Sequence, residues 1–236
     1  IASCLVGSEM CIRDRSWAMS TPQIDKYVQA FFQTLLMVGI SAFIAIALGL
    51  VLAVVLTVTA PRNLYPRPRF HRALSIAVNV CRAIPFIILL IALLPVTRFL
   101  VGTTLGTWAA VVPLAANLIP FYARIAQVSL NDVDAGLVEA ARAMGCRRWH
   151  IVRHVLLPEA LPGIIGGMTV SVIAMVNASA MAGAVGAGGL GDLAIRYGYE
   201  RYETRVMFEV IVILIALVSA IQFVGEWLAR RVDHRR

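Results

Sequence analysis

Between residues 139 and 158 the chain reads Glu139-Ala140-Ala141, three residues, Gly145, nine residues, Val155, one residue, Leu157-Pro158. One carboxylate, small apolar residues, a glycine and a proline hold no nucleophile and no metal set. Their chemistry is that of a shaped surface. Asn131, Asp132 or Asp134 can each cap a helix running through Glu139 to Met144. Gly145 suits the position that ends such a helix. A second short helix, about 147–156, is expected to run to Pro158 and stop there. Leu137, Val138, Ala140, Ala141 and Met144 are then available to fill a groove, with Arg142, Arg147, Arg148 and Arg153 around them. An apolar anchor with a charged rim is how a helix docks on a partner. Glu139, Ala140, Ala141, Met144, Gly145, Arg148, Leu157 and Pro158 are the candidate docking residues.

Other patterns with chemical potential carry less. His150 and His154 have metal-pair spacing, but no Glu, Asp or Cys completes a ligand set there, so no metal is assigned. Gly186-Ala187-Gly188-Gly189-Leu190-Gly191 satisfies G-x-G-x-x-G, yet a dinucleotide site needs a preceding strand, and an apolar helix precedes this run. It reads as a sharp turn with close helix approach. The chain lacks G-x4-G-K-[ST], and Lys26 is its one lysine, so the chain is not expected to be an ATPase itself. Cys81 and Cys146 read as small apolar fillers, and the four cysteines show no disulfide or metal spacing.

The elements that must carry the docking segment are membrane spans. Hydrophobic residues make up 60% of 236, charged residues 14%, and the mean hydropathy is +0.82. That composition belongs to polytopic membrane proteins. A bilayer core needs about 20 mostly apolar residues per helix. Five segments qualify, about 31–59, 76–101, 105–123, 161–186 and 206–228, with the first long enough to tilt or project. Residues 70–81 are mildly amphipathic and suit the interface before the second span. The fold expected is an all-α integral membrane protein of five transmembrane helices with a cytoplasmic elbow.

The net charge of +8 is distributed by topology. Arg62, Arg67, Arg69 and Arg72 fill the first loop; Arg124, Arg142, Arg147, Arg148 and Arg153 occupy or flank the third; Arg230, Arg231, Arg235 and Arg236 form the tail. These alternate segments lie on one side of five spans, and the positive-inside rule makes that side the cytoplasm. The N-terminus is then outside and the C-terminus inside. A nucleic-acid surface would want a basic face with motif support, and none is present, so no nucleic-acid partner is expected. Residues 1–18 are expected to be a non-native or artefactual leader, with Met19 as the start, which leaves 19–236 as a single transmembrane domain with its docking loop at about 129–160.

Within the spans, Pro85, Asn117, Asn177, Ser179 and Met181 are candidate pathway residues. Broken helices and polar groups can line a passage or simply pack helices together. Met181 is the long flexible side chain among Ala178, Ser179, Ala180 and Ala182, suited to plugging a passage without burying a charge. Met175, further along the same helix, is expected to matter little. Gly163 and Gly167 form a small-xxx-small pair whose default meaning is helix packing. A membrane-embedded enzyme would need intramembrane nucleophiles or a ligand cluster, and the spans offer scattered charges instead, Arg82 and Glu209 with Arg98 and Glu226 near span ends.

The 139–158 spacing resembles the EAA loop of ABC-importer permeases, EAA-x3-G-x9-I-x-LP, with Val155 at the usual Ile. Three further stretches narrow the likeness: Arg82-Ala83-Ile84-Pro85-Phe86-Ile87-Ile88-Leu89-Leu90, 156–163 from Leu156 to Gly163, and 179–191 from Ser179 to Gly191, together with Tyr197-Gly198-Tyr199. Together they look like the permease of the methionine ABC importer, over about 27–230. The resemblance implies a type I ABC-importer permease fold in a bacterial cytoplasmic (inner) membrane. It implies a homodimer with a second copy, two ATP-binding ATPase subunits that use ATP and Mg, an external methionine-binding lipoprotein, and contact with membrane lipid. This chain itself would bind no cofactor. Its task would be inward transport of methionine (D- and L-) by alternating access; the alternative is a permease for another amino acid or small peptide.

Overall fold

The computed structural model describes residues 21–61 and 63–232, and among them every regular element is helical. The expected leader at 1–18, Met19, Arg62, Arg235 and Arg236 lie outside the described residues. The elements are α1 (Thr21–Val58), α2 (Pro68–Ala83), α3 (Phe86–Val101), α4 (Thr107–Asn131), α5 (Ala135–Ala143), α6 (Arg148–Ile151), α7 (Leu157–Gly183), α8 (Gly189–Leu193) and α9 (Thr204–Val232). A π-turn joins α6 to α7 over Val152–Leu156, and a second follows α8 over Ala194–Tyr199.

Four stretches are long and apolar enough to span: α1 from Ile24, α4, the unbroken run Arg148–Gly183, and α9. A fifth stretch meets the same test only as a bent pair of helices, α2 with α3. The sequence suggests a single helix over 76–101, but α2 and α3 meet at Ile84-Pro85 with their axes 104° apart. Ile84 is extended, with φ −76° and ψ 122°, because a residue before proline is pushed out of the helical region. Pro85 then begins α3 where its missing N–H costs nothing. Pro113 and Pro120, by contrast, are buried inside α4, which continues through both.

Helix α4 is the centre of the bundle. It packs on α1 and on α7, and α9 lies outside α7. Leu114 and Leu118 of α4 are fully buried with Met37 and Ala45 of α1 and Met175 and Val176 of α7, and Tyr122, also fully buried, packs in a second cluster with Ala53, Ala126 and Leu130. The Gly163/Gly167 pair lets α7 approach α4 closely: a Cβ on Gly167 would sit 2.5 Å from Ile125, and one on Gly163 would meet Ser129 at 2.8–2.9 Å. Packing is therefore its role. Cys81 and Cys146 do not fill gaps. Both are exposed, one on the uncovered side of α2 and one just past the end of α5.

Candidate coupling elbow and translocation face

Asp134 starts the elbow. Its carboxylate accepts the Gly136 N–H at 2.8 Å, which settles the cap among the three acidic or amide candidates. The end of α5 is closed by two backbone bonds: Gly145 N–H donates to Arg142 O at 2.9 Å and Cys146 N–H to Ala141 O at 3.2 Å. This is the paired-bond ending that needs a left-handed residue, and Gly145 supplies it with φ +78°. The chain then re-enters helix at Arg148.

Pro158 does not stop that helix. The expected break is replaced by the π-turn at 152–156, with Pro158 in the first turn of α7, so helix continues from Arg148 to Gly183. Widening the turn before the proline accommodates its missing N–H and its ring, which an α-turn would set against the carbonyl four residues earlier.

The expected groove-filling set divides in two. Ala141 is 3% exposed, and with half-buried Val138 it packs on Val58, Leu64, Ile151 and Val152. These residues fasten the elbow to the C-terminal end of α1. Leu137, Ala140 and Met144 face outward, with Met144 76% exposed. Trp149 joins them at 61% exposure and was not expected in the set. Its signal was present: a large aromatic among arginines, four residues past the turn glycine. Glu139, Arg142, Arg147 and Arg153 are exposed around this apolar group. The Arg148 guanidinium stands 5.0 Å over the Tyr65 ring, tying the elbow to the α1–α2 loop. Leu157 is half-buried against the cores beneath and Pro158 is exposed, both in the first turn of α7. His150 and His154 stack with ring centres 5.1 Å apart on the exposed side.

Higher on α7, Val170, Asn177 and Met181 are exposed at positions separated by seven and four residues, which places them on one stripe of the helix. Ser179 lies on another side. It is 2% exposed and its hydroxyl donates to Val176 O at 2.7 Å, so the structure does not bring it to the Met181 stripe. Asn117 is half-buried on α4, and Pro85 is exposed at the α2–α3 break. Met175 is 2% exposed in the central core, which makes it a packing residue of weight and not a neutral neighbour.

At the far end of α7 the glycine run makes the sharp turn expected of it, with Gly186, Gly188 and Gly189 at φ +86°, +82° and +80°. The turn is pinned to α1. Gln33 Oε1 accepts the Gly189 N–H at 3.0 Å, and Thr34 Oγ1 accepts the Leu190 N–H at 2.9 Å. Beyond it, Lys26 Nζ donates to Tyr197 Oη at 3.2 Å, and the Arg201 guanidinium lies 4.7 Å over the same ring. Glu209, one of the charges expected within the spans, accepts from Tyr27 Oη at 2.6 Å and from Arg205 Nε at 2.8 Å.

Comparison with known proteins agrees with this geometry. Residues 45–236 match the family described as binding-protein-dependent transport system inner membrane component. A probable D-methionine transport system permease protein, MetI, of Vibrio cholerae is 48% identical over 211 residues, covering 89% of this chain and 94% of that protein. The methionine import system permease protein MetP of Bacillus subtilis is 41% identical over 180 residues, covering 76% and 81%. Among solved structures, an inward-facing MetNI methionine ABC transporter superposes with a TM-score of 0.90 at 45% identity, covering 92% of this chain and all of that one. An amino acid ABC transporter at 22% identity and TM-score 0.67 shares the fold. Helical spans, an exposed elbow closed by Gly145, and these matches together show that the chain belongs to the family of binding-protein-dependent transport system inner membrane components.

Proposed function

We propose that this chain is the permease subunit of an ATP-driven importer that brings methionine into a bacterial cell, and that it works as a symmetric pair gripped by two separate ATPase subunits. The observation that carries this reading is the elbow. Met144, Trp149, Leu137 and Ala140 present apolar surface to solvent within an arginine rim, on a chain with no phosphate-binding loop of its own. The relatives and the solved neighbour named for methionine supply the substrate.

In this reading ATP and Mg are bound by the partner, and closure of the ATPase pair moves the elbow. Because helix runs unbroken from Arg148 to Gly183, displacement at Trp149 is carried along α7 to the Asn177–Met181 stripe. That stripe faces the second copy across the pathway, and Met181 closes the passage in one state and swings aside in the other. Asn117 and Pro85 border the route; Ser179 supports α7 from behind. The elbow and the basic loops face the cytoplasm, with the N-terminus outside and the C-terminus inside. The outer end, where Tyr199 and Tyr202 are exposed, receives an external methionine-binding lipoprotein.

Purification from a native host should recover a nucleotide-binding partner, and proteoliposomes of the complex should take up labelled methionine in preference to other amino acids. Active transport by this chain alone, or preference for another amino acid or a small peptide, would overturn the assignment. Orientation is read separately from Cys146. With the other cysteines replaced, it should react with an impermeant maleimide in inside-out vesicles and stay protected in right-side-out ones.

A further inference from the structure

The α2 segment has three sides, and one is occupied by the rest of the chain. Val78 is its buried residue, and His71 and Leu74 are half-buried beside it. The His71 ring donates from Nδ1 to the Leu56 carbonyl at 3.0 Å, which holds the start of α2 against the inner end of α1. On a second side Phe70, Ala73, Ala77 and Val80, continued by Ile84, recur at helical spacing and are all exposed. On the third side Arg69 and Arg72 stand one turn apart. With Ser75, His71, Pro61 and Pro68 they line a cavity of about 420 Å³.

The two arginines face a shortage of partners. From Lys26 to Asn131 the chain holds no Asp or Glu. Among the described residues no ion pair joins Arg69 or Arg72 to a carboxylate. A guanidinium pair over a cavity, with a hydroxyl at its wall, is a donor set for phosphate oxygens. The neighbouring apolar stripe says where that phosphate comes from. A helix with a basic face beside an apolar one, lying at a steep angle to a span and starting at the end of another, occupies the headgroup level of a bilayer. A free anion or a nucleotide would have no use for Phe70, Val80 and Ile84.

We propose that α2 holds an anionic phospholipid of the cytoplasmic leaflet, with its phosphate between Arg69 and Arg72 and its acyl chains along the Phe70–Ile84 stripe. The bound lipid fixes α2 at the interface and so sets the height of the elbow beside it. The site rests on the cytoplasmic placement of α2 given above, but lipid retention by the purified complex does not depend on which leaflet α2 meets. Failure of the topology therefore shows in the Cys146 labelling, and failure of the site shows in the lipid.

The test is native mass spectrometry of the permease–ATPase complex exposed to equal amounts of phosphatidylglycerol and phosphatidylcholine. The complex should retain phosphatidylglycerol preferentially. At roughly 1 kcal/mol for each arginine at a charged surface, Arg69→Gln and Arg72→Gln should each lower that retention about fivefold. Arg72→Lys should lose less than Arg72→Gln, and Arg98→Gln, at the other end of α3, should change nothing. Equal retention of both lipids, unchanged retention in the variants, or displacement by millimolar inorganic phosphate alone would overturn the proposal. Should the variants fail to assemble, photoactivatable phosphatidylglycerol on the unaltered complex should label peptides covering 68–80, and labelling confined to other peptides would overturn it equally.

Discussion

The two ends of α7 solve opposite problems with similar parts. Each is flanked by a π-turn, 152–156 below and 194–199 above, and each turns on glycine in the left-handed region. The upper end is closed within the chain: Leu190 and Leu193 are buried, and Gln33 and Thr34 satisfy the turn's N–H groups. The lower end leaves Met144 and Trp149 exposed and is fastened through Ala141, Val138, Ile151 and Val152, with Arg148 over the Tyr65 ring. Apolar surface left uncovered in this way marks a place for another protein. A helix held firmly at one end and offered outward at the other can pass a push along its length.

The largest effect expected from breaking this contrast is at Gly145. Nothing stands within 4 Å of a Cβ placed there, so the penalty of Gly145→Val lies in the backbone, about 1–2 kcal/mol at φ +78° and more for a β-branched side chain. Membrane insertion should survive, since the spans are untouched, while methionine uptake falls by more than tenfold and ATP hydrolysis runs uncoupled. Uptake equal to the parent in proteoliposomes would remove the turn from the coupling path.

Next in size is the outward face. Trp149→Ala should weaken ATPase binding by about 2 kcal/mol or more, some 30-fold, as for a central aromatic anchor. Val138→Ala, on the inward face, should lower the melting temperature and leave the affinity of the folded chain nearly unchanged. If the two substitutions had interchanged effects in pull-down and melting measurements, the division of the elbow into faces would be wrong.

The same logic sharpens the stripe on α7. Met181→Ala is expected to leak substrate or raise ATP turnover without the binding protein, at little cost in stability. Met175→Ala should instead cost about 2–5 kcal/mol of stability through a core cavity. Val170→Ala, exposed on the Met181 stripe, is the neutral comparison. Matching mild leaks from Met181→Ala and Val170→Ala would assign Met181 to packing. The smallest change is at the upper end. Thr34→Val leaves the buried Leu190 N–H without its acceptor and should cost about 1–3 kcal/mol, visible in thermal melts with ATPase affinity unaltered.

Much of this was legible in residues. Asp134, Gly145 and the 186–191 glycines act through local backbone preferences, and local preference is what a sequence states directly. The bend between α2 and α3 was half legible. Pro85 was visible, but two apolar stretches around a proline also describe a kinked single helix, and the 104° turn depends on α2 settling against α1 and α4. Pro158 misled for a related reason. A π-turn that absorbs a proline has no composition of its own, and the buried residues at its two ends, Val152 and Leu156, hold it in place.

By itself the sequence determined that this is a multi-span helical protein whose 139–158 loop turns on a glycine and whose residues include no G-x4-G-K-[ST] pattern. Hydropathy, caps and motif spacing are each carried by neighbours along the chain. Only the tertiary structure decided which way each side chain looks. It turned Ala141 inward and Trp149 outward, placed Met175 in the core and Met181 on the surface, and removed Ser179 from the stripe. In a bilayer-spanning helix nearly every residue is apolar or small, so the alternation that separates a buried face from an exposed one in water is missing. The facing of each residue is set by which helix packs against it.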